Sequence, residues 1–264
     1  MKAIIVAAGR GRRLGPETAE IPKCMVAVGG RAILHRQLDA LAAAGVDDVV
    51  IVRGYLGDKI HPPANFAANS GRSLRFVENP EWASNNILAS LMYAESEMAG
   101  GFLFSYSDIV FAPEHVRRLV AAGDDVGLVV DRRWDKAYVG RIQHPVSEAE
   151  LAKVEGAGPG ARVSRVGKRV VAAADAAGEF IGLARFSDPG ARALRDAWHA
   201  ALALGLDRPF GTAASLRNAY LSDALNAMAD DGVRLSPLLI DGRWREIDTQ
   251  EDLARANPVV DTWG

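Results

Sequence analysis

Apolar residues along the chain gather into short continuous runs separated by amphipathic stretches, and their order predicts the architecture. Ala3–Ala8 (AIIVAA) is too brief for a free-standing helix and suits a strand buried on both faces. Gly30–Ala44 sets Leu34, Leu38 and Leu41 on one helical face, with Gly45 as a left-handed stop. Val49–Val52 and Ser73–Val77 read as the next two strands. Asn86–Met98 predicts a helix with Ile87, Leu88, Leu91, Met92 and Met98 inward and Asn85 as its N-cap. Phe102–Ser105 is a fourth strand, and its run ends at Asp108. This order predicts an α/β fold with a parallel sheet covered by helices on both faces.

The second half is less regular. Val126–Val130 is a strand, and Ser147-x-x-Glu150 reads as a capping box opening a short helix. Gly156–Gly160 is a turn-rich break, and Arg162–Val171 and Glu179–Phe186 alternate like antiparallel strands. Asp188–Ala203 and Ser215–Ala229 are helical, with Gly232 stopping the second. Val233–Ile240 and Trp244–Ile247 are late strands, and Asp248 follows at once. No linker composition interrupts the pattern, so one domain over residues 1–264 is expected.

The first strand runs into Gly9, Arg10, Gly11, Arg12, Arg13, Leu14 and Gly15, with Pro22-Lys23 close behind. A glycine-rich turn lets backbone N–H groups approach a polyphosphate, and the cations neutralise it. A Walker loop is absent, and the third glycine of the dinucleotide fingerprint is replaced by Leu14. A strand before the loop and a cation cluster within it favour a nucleotide over a solvated basic turn. Ligands of such sheets bind beyond the carboxyl ends of the strands. Asp108 and Asp248 each close an apolar strand there, which suits Mg2+, an ion that takes a few carboxylates and keeps waters. Asp248 has a second reading as the cap of a helix starting near Gln250. Lys23, steered by Pro22, can meet a phosphate as a point charge. Neither Lys23 nor Asp108 is expected in the apolar core. No catalytic triad is visible, and His35, His61, His115, His144 and His199 have no zinc spacing.

Composition narrows the partners. A net charge of −2 over 264 residues argues against a general nucleic-acid binder. A lone cysteine, Cys24, excludes an intramolecular disulfide and fits a reducing cytosol. No secretory signal and no apolar stretch of membrane-spanning length is present. A cytoplasmic protein without membrane or nucleic-acid partners is expected, with homodimerisation left open.

The string VAAGRGRRLGPETAEIPKCMVAVGGRAIL resembles the opening of nucleotidylyltransferases that join an NTP to a sugar phosphate or phospho-alcohol. IVRGYLGDKI, ENPEWASNNILASLMYAESEM, FSYSDIVF and WREIDTQEDL are most similar to the phosphocholine cytidylyltransferases, with the phosphonate and inositol-phosphate cytidylyltransferases also near. The resemblance implies a Rossmann-like nucleotidyltransferase fold, with a mixed, mostly parallel sheet flanked by helices. It implies CTP as donor, a small phosphorylated or phosphonate acceptor, Mg2+, and pyrophosphate as product. Residues 1–125 would mainly hold the nucleotide and residues 126–264 the acceptor and second metal ligand.

It also implies roles residue by residue. Ala8, Gly9, Gly11 and Arg12 would line the nucleotide, with Arg13 and Lys23 on the phosphates. Asp108 and Asp248 match the metal aspartates. Glu78, Asn79, Asn85 and Asn86 lie where relatives read the base, although Asn86 also suits a helix N-cap. Glu179, in GEFIGLARFS, matches the region facing the acceptor's head group. The chain departs from the pattern at Gly15, where relatives place an arginine that Arg10 or Arg12 would replace, and at a single Asp108 flanked by Ser105 and Ser107.

Trp134, in VVDRRWDKAY with Asp131, Asp135, Tyr138 and Arg141, has two readings. An indole beside carboxylates can hold an ammonium, and a tryptophan can equally pack a core. Arg132, Arg133 and Arg141 would suit a second anionic group on the acceptor. Two rival functions remain open at this level. One is a sugar-1-phosphate nucleotidylyltransferase using UTP, dTTP or GTP; the other is a non-catalytic nucleotide-binding regulatory domain.

Overall fold

The computed structural model describes residues 1–264 except 65, 67–70 and 264. In chain order the first strands are β1 (Lys2–Ala7), β2 (Ala27–Val28), β3 (Arg31–Ala32), β4 (Asp48–Arg53), β5 (Ser73–Glu78), β6 (Phe102–Tyr106) and β7 (Ile109–Phe111). The later ones are β8 (Val126–Asp131), β9 (Glu150–Glu155), β10 (Arg162–Lys168), β11 (Gly178–Phe186), β12 (Leu235–Ile240) and β13 (Trp244–Glu246). The helices are α1 (Ile33–Ala42), α2 (Ile87–Met92), α3 (Pro113–Ala121), α4 (Trp134–Tyr138), α5 (Asp188–Leu204), α6 (Leu221–Asp230) and α7 (Gln250–Ala256).

β1 pairs in parallel with β4 and β6, and β4 with β5. The sheet then changes hand of pairing. β11 runs antiparallel to β6, β8 and β9, β10 runs antiparallel to β9, and β12 returns parallel to β8. One nine-stranded mixed sheet results. β1 is apolar throughout because both faces are covered. Ile4 and Val6 join a core with α2, α5 and α6, whereas Ala3, Ile5 and Ala7 join the opposite core with α1 and α3.

Three elements differ from the sequence expectation. The helix over Asn86–Met98 stops at Met92, and Glu95–Met98 forms a 3-10 turn instead. Apolar spacing of three to four residues fits both conformations, so periodicity alone cannot separate them. Its N-cap is Asn86 rather than Asn85, with no side-chain cap bond. Ser147-x-x-Glu150 opens no α-helix. Val146–Glu148 makes one 3-10 turn, and Glu150 begins β9, whose buried residues pair with β10. Tertiary pairing overrides the local capping signal, and Glu148 turns its carboxylate to Lys168 and Arg169. The helix read over Ser215–Ala229 begins only at Leu221.

One small ribbon places the chemistry. β7 pairs antiparallel with β13, and the Ile247 N–H donates to the Asp108 carbonyl at 2.8 Å. That ribbon joins the turn after β6 to the turn before α7, which carry Asp108 and Asp248. Gln37 of α1 fixes the first of these turns. It is fully buried, and its Nε2 donates to the carbonyls of Tyr106 and Ile109, both at 2.7 Å. Gln37→Leu would take the amide donor from the buried Ile109 carbonyl and leave the Tyr106 carbonyl with the Ser105 hydroxyl alone. It should lower unfolding stability by about 2 kcal/mol or more, read by urea denaturation. An unchanged midpoint would show that the turn does not depend on this amide.

Candidate active site

Beyond the carboxyl ends of β1 and β6 lies a cleft of about 340 Å3. Gly9, Gly11, Arg12 and Arg13 form one wall, and Lys23, Asp108 and Asp248 form the floor. Gly11 has a φ of +66°, and a Cβ there would lie 2.8 Å from Lys23 Cδ, so only glycine lets the lysine stem pass beneath the loop. Gly9 has open space where a Cβ would point.

Lys23 is only 8% exposed, contrary to the expectation that it lies clear of the packed interior. Gly11 of the glycine loop lies against its stem, while its head lies between two acids. Nζ donates to Asp108 Oδ2 at 2.6 Å and to Asp248 Oδ1. Burial disfavours the ammonium, but Asp108 and Asp248 outweigh it and push the lysine pKa above its usual value. Arg13 donates from Nη2 to Asp248 Oδ2, and its Nη1 lies 3.7 Å from Glu148. Burial opposes charge on Asp248 as well, yet Lys23 and Arg13 hold its carboxyl well below the ordinary range. Asp248 is not the cap of α7. Thr249 takes that role in a capping box with Asp252, and the Asp248 N–H donates to Asp252 Oδ2 at 3.1 Å. Asp108 Oδ1 is buried and has no hydrogen-bond partner among the described residues.

The other end of the cleft contains residues that the sequence reading did not select. Tyr106 donates its hydroxyl to Glu150 Oε1 at 2.9 Å, and Lys168 Nζ lies 5.1 Å above the Tyr220 ring. Glu246 also lines this end. Burial raises the carboxyl pKa of Glu150. Glu246 is raised by burial and then by Asp248 and Asp108. Behind them His144 is fully buried between Glu246 and Asp248. Glu246 and Tyr106 stand inside WREID and FSYSD, so proximity to the two aspartates was an available signal. Glu150, Lys168, Tyr220 and His144 come from separate turns and strand ends that only the sheet brings together.

The remaining sequence candidates divide. Asn86 lines the cleft and donates from Nδ2 to the Asn218 carbonyl at 3.0 Å. Asn79 is buried beneath it, donating to Asn85 Oδ1 and Ser90 Oγ, each at 2.9 Å, so Asn79 and Asn85 form a knot supporting that loop. Ala8 is buried, and its carbonyl accepts from the Tyr55 N–H at 3.0 Å. Glu78 is exposed at the end of β5, paired with Arg53 at 2.5 Å, and does not line the cleft. Trp134 and Tyr138 do not line it either. They pack with Ala149, Leu151 and Val171 in a small core of their own. Tyr138 donates its hydroxyl to the buried Glu179 Oε1 at 2.7 Å, placing Glu179 behind the acidic wall.

A parallel-to-antiparallel sheet with a glycine loop, buried lysine and paired aspartates at its carboxyl edge defines a Rossmann-like nucleotidyltransferase. Residues 3–257 match the model of the MobA-like NTP transferase domain, and the chain belongs to that family. It is 29% identical over 259 residues to CTP:phosphoglutamine cytidylyltransferase of Campylobacter jejuni, covering 96% of this chain and 98% of that protein. Choline-phosphate cytidylyltransferase of Streptococcus pneumoniae is 32% identical over 111 residues, which is 42% of this chain and 46% of that one. Among solved structures, the inositol-1-phosphate CTP transferase of T. maritima superposes with a TM-score of 0.72 at 21% identity, covering 99% and 95% of the two chains. Among the described residues no helix is long and apolar enough to cross a membrane.

The acidic wall gives a pH signature. Burial raises the Glu179 carboxyl from 4.5 to about 7, and the Tyr138 hydrogen bond offsets only part of that. Between about pH 4.5 and 7 the folded protein keeps a proton that the unfolded chain has released. This residue's contribution to stability is therefore present at low pH and lost as pH rises through 7. Glu179→Gln, which keeps an acceptor for Tyr138, should match wild type near pH 4.5 and exceed it by about 3 kcal/mol at pH 8. Thermal unfolding across that range checks this, and a stability difference independent of pH would contradict it.

Proposed function

We propose that this nucleotidyltransferase transfers CMP from CTP to a small phosphate ester or phosphonate and releases pyrophosphate. The observation that carries this reading is the grouping of Arg13, Lys23, Asp108 and Asp248 beside the glycine loop. Its donor set fits a divalent ion: two carboxylates converge on one cation, Lys23, and a buried oxygen of Asp108 has no partner among the described residues. Asp108 and Asp248 would hold Mg2+, which when bound neutralises charge on the α-phosphate and polarises it.

The chain's own residues supply the rest. Backbone N–H groups around Gly9 and Gly11 receive the triphosphate, and Arg12 and Arg13 cover its β- and γ-phosphates. Asn86, supported by Asn79 and Asn85, offers amide groups that match the amine and carbonyl of cytosine. Lys23 moves from its carboxylates to bridge the α-phosphate and the acceptor. The acceptor oxygen is already anionic at neutral pH, so it attacks the α-phosphorus without a strong general base or a covalent enzyme intermediate. Repulsion between two anions is the obstacle, and charge neutralisation with in-line alignment removes it.

Tyr106, Glu150, Lys168 and Tyr220 surround the acceptor's head group, with Trp134, Tyr138 and Glu179 supporting that wall from behind. Aromatic faces beside carboxylates favour a cationic head group such as that of phosphocholine or aminoethylphosphonate. One nucleotidyltransferase unit over residues 1–264, working in the cytoplasm without nucleic acid, is the corresponding reading. The alternative is a sugar-1-phosphate nucleotidylyltransferase using UTP, dTTP or GTP. Pyrophosphate release from four NTPs against a panel of phosphate esters and phosphonates separates the two, and comparable turnover with UTP or dTTP would sink the CTP assignment.

Asp108→Asn should lower kcat by about a hundredfold or more, the size of losing one electrostatic stabiliser. Lys23→Ala should do the same. It also leaves the buried Asp248 and the half-buried Asp108 short of a partner, so its turnover is compared below its own melting temperature. Near-normal turnover by folded Asp108→Asn at saturating Mg2+ would show that the metal site lies elsewhere.

A further inference from the structure

His144 has no part in the reaction as described, and its surroundings call for one. The imidazole is fully buried, yet neither ring nitrogen has a hydrogen-bond partner among the described residues. Nε2 lies 3.4 Å from Glu246 Oε2, and Nδ1 lies 3.5 Å from Asp248 Oδ2. Asp252 Oδ2 is 3.8 Å from Nδ1. A neutral imidazole carries one N–H and one lone pair. With carboxylates facing both nitrogens, the lone pair meets a second acceptor, an arrangement that a bound cation would satisfy.

The ring is held in place from both sides. Arg141 Nε donates to Asp252 Oδ1 at 2.6 Å, and the backbone N–H groups of Ile142 and Gln143 donate to Glu251 Oε2 at 2.8 and 2.7 Å. The loop that presents His144 is therefore clamped to the first turn of α7, directly after Asp248. The two oxygens of Asp248 face different ways. Oδ1 meets Lys23, which also holds Asp108, while Oδ2 faces Arg13 and His144. One nitrogen of His144 and one oxygen each from Glu246 and Asp248 all lie within 4.8 Å of one another.

We propose that His144, Glu246 and Asp248 form a binding site for a divalent first-row transition ion, separate from the Asp108 side and sharing Asp248 with it. The donor set sets the class of ion. Mg2+ takes oxygen ligands and retains water, whereas Mn2+, Co2+ and Zn2+ accept an imidazole nitrogen beside carboxylates. Such an ion links Glu246 to Asp248 and adds to the positive charge of Arg141, whose Nη2 lies 3.4 Å from Glu246 Oε2. The site rests on the proposed reaction only in sharing Asp248, so it is tested with metal alone, in the absence of nucleotide and acceptor.

Mn2+ is the probe. Titration of the nucleotide-free protein, followed by the loss of the free-ion electron paramagnetic resonance signal, should show saturable binding. Pulsed spectra of the bound ion should carry imidazole nitrogen couplings. His144→Gln should lose those couplings and weaken Mn2+ binding by about tenfold or more, with folding checked by circular dichroism. Asp108→Asn should keep them. Three results would each overturn the proposal: bound Mn2+ without nitrogen couplings in the wild type, couplings that persist in His144→Gln, or no saturable binding by the folded wild type. Should His144→Gln fail to fold, the wild-type couplings and their survival in Asp108→Asn still decide the matter. Loss of CTP turnover with the couplings intact would count against the reaction and leave this site standing.

Discussion

The Lys23 ammonium lies between Asp108 and Asp248 with its stem under the glycine loop, and that buried charge group constrains everything around it. Withdrawing three charges from water is tolerable only while each faces its opposite, and losing one partner typically costs about 3–5 kcal/mol. In the proposed reaction an ion taking over those carboxylates would free the lysine for phosphate. Gly11 is tied to the same constraint, since any side chain there would strike the lysine stem.

Three parts of the chain must meet for that group to exist. β1 delivers the loop that covers Lys23, β6 ends beside Asp108, and β13 leads into Asp248. The β7–β13 ribbon joins the second and third, and Gln37 fixes the turn between β6 and β7 from the opposite core. From Asp248 the network continues through Asp252 to Arg141, which holds the loop bearing His144. The cleft opens beyond β1 and β6, where the strand order reverses, because β4 and β5 follow β1 on one side and β6 returns to the other.

The buried carboxylates of Glu179 and Glu150 are differently supported. Glu179 has the Tyr138 hydroxyl, and Glu150 has the charge of Lys168 and the Tyr106 hydroxyl, but neither has a cation in direct contact among the described residues. Burial therefore dominates and their pKa values rise, whereas Asp248, beside Lys23 and Arg13, is driven the other way. Two kinds of carboxylate a short distance apart give one end of the cleft a fixed negative charge and the other a proton-sensitive wall.

Local pattern determined the strands at Ala3–Ala8, Val49–Val52, Ser73–Val77 and Phe102–Ser105, the helix at α1, and the grouping of a glycine loop with Arg13, Lys23, Asp108 and Asp248. These are legible because burial on two faces, a glycine-rich turn and an aspartate at a strand end each leave a mark within a few residues. Tertiary structure alone decided the rest. Ser147-x-x-Glu150 has a helix-start pattern but yields a strand, because β10 supplies pairing and burial that no local signal carries. Trp134 and Tyr138 turn into a small core, Glu78 falls on an exposed edge, and Lys23 is buried, since each outcome depends on what packs against the residue. Glu150, Lys168 and Tyr220 come to the cleft from three segments distant in the chain, and His144 packs behind them. Their side chains become neighbours only through the pairing of β9, β10 and β11 and the docking of α6 and α7.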